Sequence, residues 1–89
     1  MPDYDWDPSK DELLRRTRRV SFADVVYSIE HGGLLDTIDH PNQERYPGQQ
    51  IYIVRMRDYV YQVPFDRTES GVFLRTLYPS RRAFRDYLR

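Results

Sequence analysis

The 89-residue chain contains no cysteine. That excludes disulfides, a thiolate nucleophile and a cysteine-ligated zinc site, and it fits a reducing, cytoplasmic setting. Histidine is nearly absent as well. His31 and His40 are the two present, and a pair separated by a strand-length segment is a poor basis for a metal site. No metal and no cofactor is expected. No apolar run approaches the ~20 residues of a membrane span, and the acidic, polar start is unlike a signal peptide, so no membrane association is expected. A glycine-rich phosphate loop, a nucleophile elbow and a dinucleotide fingerprint are all missing. Asp36 and Asp39 are not spaced to share a strand face, so paired-carboxylate chemistry has no support. Net charge is missing too, with 14 basic residues against 14 acidic. A uniformly basic nucleic-acid binder is therefore not expected.

What charge there is lies unevenly. Asp3, Asp5, Asp7, Asp11 and Glu12 dominate the start. Arg15, Arg16, Arg18 and Arg19 follow, and Arg75, Arg81, Arg82, Arg85 and Arg89 mark the end. Thirteen of the fourteen basic residues are Arg, Lys10 being the exception. Arg keeps its charge and presents a planar fork suited to phosphate and carboxylate. Eight Tyr, four Phe and one Trp can build a core, with polar tips on the Tyr rings.

The length predicts a single domain over residues 1–89. Tyr4-Asp5-Trp6 reads as a short extended segment. Asp7-Pro8 reads as a helix cap followed by Pro at the first helical position. This predicts a helix to about Arg18, anchored by Leu13 and Leu14. Ser21-Phe22-Ala23-Asp24 is a near capping box. Phe22, Val25, Val26 and Ile29 form an apolar stripe behind it, ended by Gly32-Gly33. Residues 34–39 are a candidate strand, and Pro41 to Gly48 a polar loop. From Gln50 to Arg57 the residues alternate, placing Ile51, Ile53, Arg55 and Arg57 on one face. Asp58 marks a tight turn. Tyr59, Tyr61, Val63 and Phe65 share a face of the next strand, where Pro64 predicts an edge or a bulge. Arg67 to Gly71 is a turn, and Val72 to Tyr78 a last strand. Pro79-Ser80 starts a short helix with Ala83, Phe84, Tyr87 and Leu88 inward. The fold class is α+β: two N-terminal helices, an antiparallel sheet of about four strands and a short C-terminal helix.

The residues present leave metal-free phosphodiester chemistry open. RNA carries its own nucleophile, the 2′-hydroxyl. A protein accelerates its attack by positioning it and neutralising charge on the phosphorane. Arg55 and Arg57 on the sheet, with Arg75 and Arg81, are candidates for that charge; solvated, salt-bridged Arg is the alternative.

Several motifs occur in the order found in one family. Trp6-Asp7-Pro8-x-Lys10 precedes Val20-Ser21-Phe22. Asp39-His40 precedes Glu44-Arg45 and an aromatic. Ser80-Arg81-Arg82-Ala83 leads into a helix containing Tyr87. With these motifs the chain resembles the BrnT-type toxins, RelE-like ribonucleases of bacterial toxin–antitoxin systems. It departs from them in carrying Thr17-Arg18-Arg19 where the family usually has Lys-His-Gly. The resemblance implies a RelE-like fold, metal-independent RNA cleavage, and a cognate antitoxin, often a ribbon-helix-helix DNA-binding protein. It also implies assembly as a toxin–antitoxin heteromer or a homodimer. Lys10 and Arg81 occupy motif positions. Lys10 would contact phosphate, or else pair with Asp7 or Glu12. Arg81 would stabilise the transition state, or else serve the helix start. His40 would be a proton shuttle. Arg45 and Arg75 would bind substrate. The rival reading is a protein-binding module without ribonuclease activity.

Overall fold

The computed structural model describes residues 3–88. Asp7 caps the first helix, α1 (Pro8–Thr17), accepting from the Ser9 backbone N–H at 2.9 Å. Pro8 costs that helix nothing, because its missing N–H would have had no partner there. Ser21 caps α2 (Phe22–Glu30) with a full capping box: its hydroxyl accepts from Asp24 N–H, and the Asp24 carboxylate accepts from Ser21 N–H. Gly32, at φ +87°, turns the chain out of α2. Gly33 lies so close to its neighbours that a Cβ would sit 2.8 Å from the Ser28 carbonyl and 2.9 Å from that of Arg55.

The strands are β1 (Asp3–Trp6), β2 (Leu34–Asp39), β3 (Gln50–Met56), β4 (Tyr59–Arg67), β5 (Gly71–Leu74) and β6 (Tyr78–Pro79); α3 (Arg81–Leu88) follows. They form one six-stranded sheet in the order β1-β5-β4-β3-β2, with β6 beside β4. The α+β class stands, but the sheet is mixed and has more strands than expected. The Tyr4 segment is not merely extended: it pairs with β5 in parallel. The expected last strand is two, because the chain leaves the ladder after Leu74 and rejoins it at Tyr78.

That interruption explains Pro64. β4 is internal, not an edge, with β3 on one flank and β5 and β6 on the other. Pro64 lies between the residues paired with β5 and those paired with β6. Its carbonyl, on the interrupted flank, accepts from Arg75 N–H at 2.8 Å. The N–H that Pro lacks would face the same flank, so no ladder bond is lost.

Both faces of the sheet are covered. On one, α1 and α2 bury Leu14, Val20, Phe22 and Val25 against Tyr52, Val54, Val63, Phe65 and Leu74. On the other, α3 sets Ala83, Phe84 and Leu88 on Ile51, Ile53 and Val60. Phe22 and Val25 are fully buried as expected, while Val26 and Ile29 are only partly so. Leu14 alone of the two expected anchors of α1 is core; Leu13 is 43% exposed. Tyr87 is largely exposed and not packed inward; its hydroxyl donates to Asp36 Oδ2 at 2.6 Å, fastening α3 to β2.

The β3–β4 hairpin turns one residue earlier than expected. Arg57 and Asp58 both have positive φ, 53° and 58°, the combination of a type I′ turn. Arg57 therefore does not share the strand face of Arg55. It swings to the other side and pairs with Asp24 of α2 at 3.4 Å. Arg19, between the first two helices, also has positive φ, 58°. This conformation costs a residue with a Cβ about 1–2 kcal/mol.

Candidate functional site

The loop between β2 and β3 is built by its own side chains. His40 N–H donates to the Gln49 carbonyl at 2.9 Å and closes it. The Gln43 side-chain amide donates to the His40 and Gln49 carbonyls, at 2.8 and 3.1 Å, and its oxygen accepts from Gly48 N–H. Asn42 accepts from Arg45 N–H at 3.0 Å. These bonds hold His40 against Tyr46, with ring centroids 4.4 Å apart. The Arg45 guanidinium lies 5.5 Å from the centre of the Tyr46 ring, a cation–π contact.

His40 and Tyr46 form one wall of a cleft of about 470 Å³, completed by Gln49, Pro64, Arg75, Thr76 and Tyr78. The chain between β5 and β6 supplies Arg75 and Thr76 and leads into Tyr78, so the same ladder interruption that accommodates Pro64 forms the opposite wall. A second cleft of about 380 Å³ adjoins it, lined by Lys10, Leu13, Leu14, Thr17, Arg18, Thr76, Leu77 and Tyr78. Thr76 and Tyr78 belong to both walls. The fold thus brings His40 and Arg75 to one cleft, leaves Arg45 against the Tyr46 ring outside its lining, and puts Lys10 in the second cleft, which shares Thr76 and Tyr78 with the first.

The protonation pattern follows from the partners. Asn42 N–H donates to His40 Nδ1 at 3.0 Å. A backbone N–H can only donate, so Nδ1 is the acceptor and Nε2 carries the ring hydrogen. In this arrangement His40 is a donor and a stacking surface. Arg75 is paired through Nε to the Asp66 carboxylate and lies 5.3 Å from the centre of the Phe73 ring. Tyr78 donates to Gln62 Oε1 at 3.1 Å. Burial, and then the neighbouring Tyr46, raise its phenol above the ordinary 10.0. Lys10 pairs with neither Asp7 nor Glu12, and no ion pair involves it among the described residues.

The other expected residues lie elsewhere. Arg81 is exposed at the start of α3 and outside the walls of the His40 cleft. The Ser80 hydroxyl already takes the Ala83 N–H at 3.1 Å, capping that helix internally. Arg55 pairs with Asp58 at 3.8 Å. With Arg57 it lines a separate cleft beside Tyr27 and His31. Sequence reasoning missed Arg18, Thr76 and Tyr78 as wall residues. Tyr46 was visible only as the aromatic after Glu44-Arg45. No cluster of three His, Asp or Glu residues able to hold a metal occurs among the described residues. No helix among them is long and apolar enough to cross a membrane. Comparison with protein-family models, curated proteins and solved structures finds no match to this chain.

Proposed function

We propose that the chain is the toxin component of a type II toxin–antitoxin pair, acting in the cytoplasm as a metal-independent endoribonuclease. One observation carries the reading: a cleft with His40 and Tyr46 in tilted ring contact, Tyr78 opposite and Arg75 in its wall shares Thr76 and Tyr78 with a second cleft bearing Lys10 and Arg18. Aromatic faces beside cations are what an unpaired RNA strand requires, because bases stack and phosphates seek charge. The ordered motifs shared with BrnT-type toxins support the same reading.

In this scheme a base stacks against the Tyr46–His40 wall. Lys10 and Arg75 hold the adjoining phosphate. The RNA 2′-oxygen attacks phosphorus, the bond to the 5′-oxygen breaks, and a 2′,3′-cyclic phosphate forms. Arg75 stabilises the extra negative charge of the phosphorane, an interaction stronger in the transition state than in the ground state. The His40 Nε2–H donates a hydrogen bond to the same oxygens. Protons are exchanged with water. Arg81, on the exposed start of α3, contributes at most a peripheral phosphate contact. A cognate antitoxin, of the ribbon-helix-helix kind the motifs imply, would silence the toxin by covering this surface.

The second reading, binding without turnover, is favoured by one specific feature. The cleft offers no free base: His40 Nδ1 is held by Asn42, and Asp66 is paired with Arg75. RNA cleavage in EDTA separates the two readings. Expression in a bacterial host, with and without the neighbouring gene, tests the toxin–antitoxin relation. Cleavage with growth arrest relieved by that neighbour is expected; RNA left intact at every protein concentration would exclude the enzymatic reading.

A further inference from the structure

A fourth cleft lies on the opposite side of α1 from Lys10. It has a volume of about 420 Å³ and is lined by Arg15, Arg19, Val20, Ser21, Asp24 and Arg57. Its three guanidinium groups come from three places: α1, the α1–α2 connection and the β3–β4 turn. Arg15 and Arg19 stand four residues apart, on either side of the end of α1.

Two carboxylates stand against these three cations, and both are engaged by backbone. Asp24 accepts from Ser21 N–H at 2.9 Å, and Asp11 from Phe22 N–H at 2.8 Å. Their contacts with Arg are long and single: 3.4 Å from Asp24 to Arg57 and 3.7 Å from Asp11 to Arg15. Each guanidinium has five N–H donors, so most of that capacity stays open. Arg19 forms no ion pair among the described residues. The cleft therefore has one cation in excess, and forks with unused donors.

The backbone adds an independent reason. Arg19 and Arg57 occupy left-handed positions, with φ of 58° and 53°. Backbone alone would favour Gly or Asn at both. Arg at both positions instead places two guanidinium groups on one cleft, at a backbone cost that Gly would avoid.

We propose that Arg15, Arg19 and Arg57 form a phosphate-binding site for the backbone of a single-stranded nucleic acid, separate from the His40 cleft. A lone carboxylate ligand is disfavoured because Asp11 and Asp24 already fill the carboxylate positions at the start of α2. A phosphate offers more oxygens, and three forks can divide them. The site does not depend on RNA cleavage, since it only binds.

The test uses a fluorescently labelled single-stranded oligodeoxyribonucleotide, which lacks the attacking 2′-hydroxyl. Anisotropy is measured with the full-length protein, with Arg19→Gly, with Arg57→Gly and with the double variant. Each single variant should weaken binding roughly five- to tenfold, and the double variant should lower the salt dependence by roughly 0.7 per lost contact in logarithmic slope. Gly suits both backbone positions, so the melting temperature of Arg19→Gly should hold or rise. Inorganic phosphate should compete weakly. Unchanged affinity and salt slope in the double variant would overturn the proposal. So would inorganic phosphate binding as tightly as the oligonucleotide, or an acidic peptide displacing it at lower concentration. Because the probe cannot be cleaved by 2′-hydroxyl attack, these results stand apart from whether the His40 cleft is catalytic.

Discussion

The Tyr78 hydroxyl donates to Oε1 of Gln62 at 3.1 Å, while the Gln62 amide nitrogen reaches the Ser80 hydroxyl at 3.4 Å. One side chain thus joins the cleft wall to the cap of α3. Replacing Gln62 with Leu leaves the Tyr78 hydroxyl without this acceptor. Unfolding in urea should show a loss of about 1–2 kcal/mol, the typical cost of a half-buried polar group losing its partner. If Gln62→Leu is as stable as the parent, the bridge contributes nothing.

The same residue sets a pH limit. Burial, then Tyr46, raises the Tyr78 phenol above its ordinary 10.0, and burial raises Tyr4 and Tyr52 in the same direction. A raised phenol value means that the folded state holds the proton more firmly than the unfolded chain. The stabilisation is complete below pH 10.0 and is lost as pH climbs through the folded value. Stability should therefore decline above pH ~10, and Tyr78→Phe should make that decline shallower. Superimposable alkaline curves for the two proteins would refute the assignment.

For the core, Phe22 is the decisive position. It is 0% exposed, and its ring stacks on Trp6 with centroids 5.7 Å apart. Phe22→Ala should cost about 3–5 kcal/mol, a large part of the ~5–15 kcal/mol that holds a domain together. Val25→Asp should prevent folding. Val26→Asp should be milder, because Val26 is only partly buried. Equal effects of the two Asp substitutions, measured by thermal melts, would mean that the orientation of α2 is misassigned.

How much of this was legible in the sequence depends on how local the cause is. The caps at Asp7 and Ser21 act on N–H groups two or three residues away, so both helix starts could be read directly. The alternation through β3 was equally plain. Arg57 was misplaced because the turn begins at Arg57 itself, and an Arg with positive φ gives no sequence warning. Pro64 pointed to an edge or a bulge, and β4 is neither; the proline is accommodated because residues 75–77 leave the ladder, which no local pattern records. His40, Arg45 and Lys10 were named from motif positions, and Arg75 as a source of positive charge near the sheet. Their relative placement was not legible, because it depends on β6 returning beside β4 and on Thr76 and Tyr78 bridging two clefts.

Cleavage kinetics distinguish two positions for the chemistry. Under the proposed function, Arg75→Ala should lower kcat by ~10²-fold, as expected for loss of a main electrostatic donor. Lys10→Ala should act chiefly on KM. Arg81→Ala should change either constant only slightly. The reverse pattern, with Arg81 essential and Arg75 dispensable in folded variants, would move the reaction to the start of α3. Arg85→Ala, at an exposed position of α3, should leave both constants unchanged.

Gly71 permits the closest backbone contact in the sheet. A Cβ there would fall 2.0 Å from the Asp3 carbonyl oxygen. Gly71→Ala should displace β1 and cost about 3 kcal/mol, the upper part of the usual range for one substitution. Amide exchange should accelerate at Tyr4 and Trp6 first. Unaltered protection of both amides would show that β1 can shift to make room.

The parallel pairing of Asp3–Trp6 with Gly71–Leu74 also sets an order of events during synthesis. β1 must wait for a partner, β5, that is made only after every other strand but β6. Until then Trp6 and the apolar stripe of α2 have no sheet to cover, and the β3–β4 hairpin, joined by a tight local turn, is free to form alone. Contacts so distant in sequence close late and slowly. The growing domain therefore carries an exposed aromatic segment until β5 has been made, and it gains its full sheet only once β5 and β6 are both present.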